Sequence, residues 1–358
     1  MAAGGGDGGG GYGGGGAGAG GSPSASSAQK RPRDDAGEEE DVEAMRADVT
    51  WVLEGMSEVA PAVFRKYEGL LTRCASCVPM WRARFCEGPN ASKTTWLKLM
   101  KRENGYKGVP KMVKEVVECA PILDAALKTI EALPGGSAKA TVLDLACGKG
   151  FLSMFLSELA PPSKCQGVYL VDKGWPHKGE EPKAHHIAHT HIYGPGAYQA
   201  WPVPLDVWRR DLKQGREIAS IQRRVAERGG PAIVLGVHLC GLLSIRAVEL
   251  FNMLGQQGRL LVLKPCCLPN CQSKEDKERV FSLGNHSFPL VEVAGAGRWV
   301  KNKWKGPPRA HLRPKFEAWC ANLKLGIVAD AVSQEMEELQ SEGGFQNAYL
   351  YARNTGTM

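Results

Sequence analysis

The segment Thr141-Val-Leu-Asp144-Leu-Ala146-Cys147-Gly148-Lys149-Gly150 constrains this chain more than any other. An apolar run carries an acid near its end, turns through small residues and two glycines, and opens into Phe151–Leu159, which reads as a helix. Glycines in such a turn let the backbone approach a ligand, and the following helix presents free N–H groups to it. The same texture continues down the chain. Thr141–Leu145, Val168–Asp172, Ile233–Leu239 and Leu260–Leu263 read as strands, with helices over Phe151–Leu159, Glu217–Arg228 and Ser244–Leu254 between them. Alternation of that kind predicts an α/β fold with a doubly wound, mostly parallel sheet.

The turn discriminates among nucleotide ligands. A dinucleotide site wants G-x-G-x-x-G, and Ser153 stands where the third glycine would fall. The phosphate-binding pattern G-x-x-x-x-G-K-[ST] is absent. Asp144 would repel a pyrophosphate but suits a cationic ligand such as S-adenosylmethionine. Asp172, 24 residues after Gly148 at the end of the next strand, is placed to bind ribose hydroxyls. An ordinary tight turn with no ligand is the competing explanation.

Ligands of open parallel sheets bind at the carboxyl ends of strands. The fourth and fifth strands end in His238-Leu239-Cys240-Gly241 and Lys264-Pro265-Cys266-Cys267-Leu268-Pro269. His238, Cys240 and Lys264 are therefore the catalytic candidates. His238 suits a proton acceptor. Cys240 with Cys266 or Cys267 suits covalent catalysis. His238, Cys266, Cys267 and Cys271 offer zinc ligands, but adjacent cysteines fit a tetrahedron poorly, so no metal is assigned. Filling of the core is the competing fate of each cysteine.

Charge is unevenly distributed. Residues 1–50 carry four basic and nine acidic side chains, so the rest of the chain carries +12 where the whole carries +7. That excess points to a polyanionic partner, RNA first. Arg298-Trp299-Val-Lys301-Asn-Lys303-Trp304-Lys305 mixes cations with tryptophans, as a loop that grips RNA would. Lys98, Lys101, Arg102, Lys107 and Lys111 with Trp96 and Tyr106 repeat the mixture, there against a solvated helix as the competing reading. His177, His185, His186, His189 and His191 mark a surface insertion placed to touch substrate.

Three regions follow. Residues 1–43 are a Gly-rich then acidic tail expected to be disordered, with Lys30-Arg31-Pro32-Arg33 as a nuclear-import signal. Residues 44–133 are helical, with Val49, Val52, Leu53, Met56, Val59 and Val63 at helical spacing and Pro110 and Pro121 expected to break the run. Residues 134–358 form the sheet domain. No apolar run is long enough to cross a membrane. The first residues do not look like a secretory signal. Eleven dispersed cysteines fit a reducing compartment, nucleus or cytoplasm. Cys74-x-x-Cys77 with Cys86 lacks a second pair for zinc. Nothing in the sequence sets the oligomeric state.

D-L-A-C-G-K-G, with Asp172 after it, resembles the first motif and second-strand acid of the class I S-adenosylmethionine-dependent methyltransferases, which have a Rossmann-like fold. The resemblance implies S-adenosylmethionine as cofactor, held by Asp144, Ala146, Cys147, Gly148 and Gly150, with Asp172 on the ribose and Asp211 at the adenine. It also makes Asn347–Ala352 the terminal antiparallel strand. The H-L-C-G…C-C pairing is similar to a narrower group that includes the eukaryotic tRNA 2′-O-methyltransferases of the acceptor stem. Val237 stands where those enzymes have Lys, and Leu268-Pro269 where they have two histidines. The implied activity is methyl transfer to RNA, tRNA included. The alternatives are a methyltransferase of proteins or small molecules, and a non-catalytic RNA-binding protein on the same fold.

Overall fold

The structure is a computed structural model that describes residues 48–87, 93–100, 110–136, 138–177, 179–183, 186–187, 189–193, 201–271, 273–295, 298–300, 303–306, 308–339 and 346–355. The tail with Lys30–Arg33, and Lys101, Arg102, Tyr106, Lys107, His185 and Lys301, lie outside the described residues.

Asp48 accepts the Trp51 N–H at 2.9 Å and so caps α1 (Val49–Val59). Pro61 opens α2 (Pro61–Lys66), where its missing N–H leaves no helical carbonyl unpaired. Next come α3 (Glu68–Cys86), α4 (Lys93–Met100) and α5 (Lys111–Glu131). The expected break at Pro121 does not occur: Pro121 is buried inside the 21-residue α5. The apolar side chains on both sides of it pack into the core, and their burial outweighs the roughly 3 kcal/mol of one proline in a helix.

The alternating part supplies β1 (Ala140–Leu145), α6 (Phe151–Leu159), β2 (Cys165–Asp172), α7 (Thr190–Tyr193), β3 (Leu205–Arg209), α8 (Gly215–Arg228), β4 (Ala232–Leu239), α9 (Leu242–Leu254) and β5 (Gly258–Pro265). Then follow α10 (Lys274–Glu278), β6 (Val280–Leu283), β7 (His286–Pro289), α11 (Leu290–Val293), β8 (Arg298–Val300), β9 (Lys303–Lys305), α12 (Arg313–Gly326), β10 (Ala331–Met336) and β11 (Ala348–Arg353). Seven strands form one sheet in the order β10-β11-β5-β4-β1-β2-β3. β1 to β5 run parallel, and β11 runs antiparallel to β5. The fold is Rossmann-like, with the expected terminal antiparallel strand and one further edge strand, β10.

Both faces of the sheet are covered, as the period of two in β1 requires. Val142 faces a core built with Val52, Val78, Val116 and Phe155 of the helices α1, α3, α5 and α6. Leu143 and Leu145 face a second core with Ile221, Phe251 and Trp319 of α8, α9 and α12. The helical region thus shares its core with the strands, as one layer of the sandwich. The basic segment read as a loop is a two-stranded hairpin, β8 with β9, pairing Arg298 with Lys305, Trp299 with Trp304 and Val300 with Lys303. No helix among the described residues is long and apolar enough to cross a membrane.

Candidate active site

The glycine turn sits at the carboxyl end of β1, in the middle of the sheet. Gly150 caps α6 at φ +81, and a Cβ there would lie 2.3 Å from the buried Leu170 Cδ2, so another residue would strain the backbone and displace that side chain. A Cβ at Gly148 would meet nothing within 4 Å: this stretch of backbone faces open space. The Asp172 carboxylate binds the turn itself. Its Oδ2 accepts the Gly148 N–H at 3.2 Å and its Oδ1 the Gly174 N–H at 2.7 Å. Each carboxylate oxygen keeps a lone pair for a further donor.

Asp144 lies beneath the turn. It is 2% exposed and accepts the Ser153 hydroxyl at 2.7 Å. Burial pushes its carboxyl up to about 7, against the pull of that hydrogen bond. The structure therefore gives Asp144 a buried place bonded to α6. Ala146 adopts φ +51, the left-handed region that glycine prefers. The Cys147 thiol receives the Trp175 indole N–H at 3.4 Å, and burial pushes it up. Asp211, in the turn after β3, accepts the Lys213 N–H at 3.1 Å. Its own slight burial raises its carboxyl, and that hydrogen bond with the one from Gln214 turns the balance downward.

On β4, next to β1, the register slips between Val237 and Leu239. His238 occupies the bulge at φ +56, a strained conformation for a non-glycine residue. Bulges re-aim side chains, and here the ring turns toward α5. Its Nε2 lies 2.7 Å from Glu118 Oε2, and the other oxygen of Glu118 lies 3.2 Å from Lys264 Nζ. Burial raises the Glu118 carboxyl, but the His238 hydrogen bond and the Lys264 charge override it and hold the group well below the usual carboxylate range. An ionised carboxylate only accepts, so Nε2 donates to Glu118, and Nδ1 is the ring nitrogen turned away from that bond. The ring is 41% exposed, whereas Lys264 is 2% exposed and committed to Glu118. Cys240 and Cys266 bring their sulfurs to 2.9 Å, and Cys267 lies 3.6 Å from Cys266.

No family model matches the chain, and no curated protein matches it significantly. Among solved structures it is similar to a cyclopropane-fatty-acyl-phospholipid synthase-like protein from Lactobacillus casei, at 15% identity and TM-score 0.28 over 49% of this chain and 57% of that one. It is similar to an O-methyltransferase family protein from Burkholderia thailandensis, at 15% identity and TM-score 0.27 over 69% of this chain and 59% of that one. A third is the CurJ carbon methyltransferase, at 13% identity and TM-score 0.36 over 85% of this chain and 70% of that one. The chain therefore spans less than three fifths of the length of the first two. Function must be argued from the site's own residues.

The sequence candidates fall into two adjoining groups: Ala146, Cys147, Gly148, Gly150 and Asp172 around the turn, and His238, Cys240 and Lys264 at the carboxyl ends of β4 and β5. Asp144 and Lys264 are buried supports. One participant, Glu118, escaped the sequence reading, and His191, read there as part of a surface insertion, is buried. Glu118 sits in the apolar run Val116–Leu123, where an acid is out of place, and that was its only signal. His191, from the histidine-rich insertion, is 3% exposed and lies 2.6 Å from the Lys149 carbonyl, so it secures the glycine turn from above. Among the described residues, no histidine belongs to a group able to hold a metal; the one such group is Cys240, Cys266 and Cys267.

Proposed function

We propose that this chain binds S-adenosylmethionine over the glycine turn and transfers the methyl group to an RNA acceptor held above the ends of β4 and β5. One observation carries the reading: an open glycine turn gripped by Asp172 and a carboxylate-held histidine stand on the neighbouring strands β1 and β4.

The residues present suit the cofactor. The uncovered backbone at Gly148 leaves room for it, and the spare lone pairs of Asp172 suit a ribose diol. Bound there, the sulfonium supplies an activated methyl group. The chain's own share is positioning and proton transfer. His238 Nδ1 accepts the proton of an acceptor hydroxyl as the acceptor oxygen attacks, and Glu118 stabilises the imidazolium so formed. Lys264 keeps Glu118 ionised in its buried setting. RNA is favoured as substrate by the +12 carried beyond residue 50 and by the composition of the β8–β9 hairpin.

The test is calorimetric titration with S-adenosylhomocysteine, followed by transfer of labelled methyl groups to total RNA. Asp172→Ala is expected to weaken binding by about 1.5–3 kcal/mol, while His238→Ala keeps affinity and loses turnover. Absence of binding at millimolar ligand sinks the reading. Label found only in protein or small molecules removes RNA from it.

A further inference from the structure

We propose that Cys240, Cys266 and Cys267 form a three-thiolate zinc site whose fourth position is open. The three sulfurs come from the two loops that end β4 and β5, and all lie within 4.8 Å of one another. Zinc–sulfur bonds of about 2.3 Å in a tetrahedron place the sulfurs roughly 3.8 Å apart. The Cys266–Cys267 separation of 3.6 Å already matches that edge. The objection that adjacent cysteines cannot share a tetrahedron is thus met by the backbone after Pro265, which turns both thiols to one side. Cys240 needs to withdraw by under an ångström from Cys266, and its exposed side chain is free to do so.

The loops are fixed independently of any ion. The Gly241 N–H donates to the Cys267 carbonyl at 3.0 Å, and the Ser244 hydroxyl donates to the Leu239 carbonyl at 2.7 Å. The cluster is therefore built before a ligand arrives, which lowers the entropic cost of binding three groups to one ion. Core filling does not account for these thiols. Cys74, Cys119, Cys165 and Cys320 are buried in the two cores, whereas Cys240 is exposed and Cys266 and Cys267 are half-buried at the surface. All eleven cysteines are thiols rather than disulfides. Cys271 and His238 both lie outside the group, so neither completes the set.

Binding replaces three S–H bonds with three zinc–sulfur bonds and releases three protons to solvent, leaving one negative charge on the complex. Three protein ligands with a vacant fourth position is the pattern of zinc sites that take a substrate atom. The site stands on the thiol geometry alone and does not depend on methyl transfer.

The full chain, reduced and stripped of metal, is titrated with Co2+ and then Zn2+. One equivalent of cobalt is expected, with a thiolate-to-cobalt charge-transfer band that zinc bleaches. Cys240→Ser and Cys266→Ser abolish the band and weaken binding by more than the roughly 100-fold that removal of an outer-sphere partner costs. Cys271→Ser leaves it intact. Circular dichroism checks folding, and Cys240→Ser carries the test because its side chain is exposed. No band at one equivalent, a band indifferent to Cys240→Ser, or a Cys240–Cys266 disulfide in freshly isolated protein overturns the site. S-adenosylhomocysteine binding by the same variants reads the cofactor site separately.

Discussion

Glu118 and His238 lie 120 residues apart in the sequence and 2.7 Å apart in the fold. The hydrogen bond joins a helix of the N-terminal region to the strained bulge of β4. Removing the carboxylate leaves Lys264 charged and buried. Glu118→Gln should therefore cost about 3–5 kcal/mol in urea unfolding at pH 7. Glu118→Gln with Lys264→Met should cost much less, since no unpaired charge remains. Equal destabilisation of the two variants would show that the ion pair does not organise this region.

The same carboxyl sets an acid limit. Its folded value is depressed below 4.5, so its contribution is present at neutral pH and is lost as the pH falls below about 4.5. The unfolding midpoint of the wild type should drop from about pH 4.5 downward more steeply than that of Glu118→Gln/Lys264→Met. Parallel curves would contradict the depressed value.

Asp144 has the opposite sign. Its value is raised from 3.8 to about 7, so the folded state holds a proton that the unfolded chain gives up. Stability is therefore lost as the pH rises from about 4 through 7 and is level above that. Asp144→Asn removes the slope while keeping an acceptor for Ser153. Its thermal midpoint should gain on the wild type more at pH 8 than at pH 5. The same gain at both pH values would mean that the carboxyl ionises in place without penalty.

Ala146 holds φ +51 without glycine's freedom. Ala146→Gly should stabilise the fold by about 1 kcal/mol, read as a higher urea midpoint at unchanged slope. A lower midpoint would mean that the methyl group's packing outweighs the strain.

If the β8–β9 hairpin meets RNA, replacing Lys301, Lys303 and Lys305 together by alanine should flatten the salt dependence of RNA binding. The expected change is about 0.7 in log–log slope for each phosphate that is no longer neutralised. A slope equal to that of the wild type would place the RNA elsewhere.

Much of the sheet was legible because β1, β2, β4 and β5 are buried on both faces and read as continuous apolar runs. β3 was not read, since Asp206 and Arg209 interrupt its apolar pattern, and β10 was not because its side chains are almost all at the surface. Pro121 misled for a similar reason: local propensity was overruled by tertiary packing. The glycine turn announced itself through residues that sit next to one another. The acceptor side did so only in part. His238 and Cys240 end a readable strand, but what holds His238 in place arrives from another element, and nothing in the sequence pairs that glutamate with the histidine or with Lys264.

That α5 supplies the counter-ion of Lys264 bears on how the chain can be divided. A fragment starting after Ala132 would keep all seven strands of the main sheet and the whole glycine turn. It would also strand an ammonium group in an apolar layer with its anionic neighbour cut away, and leave the strained histidine without an anchor. The smallest self-sufficient piece of this molecule is not the one its strand pattern delineates. Any natural or engineered rearrangement that exchanges the front helices must carry an acid to the same spot, or lose the back of the pocket with them.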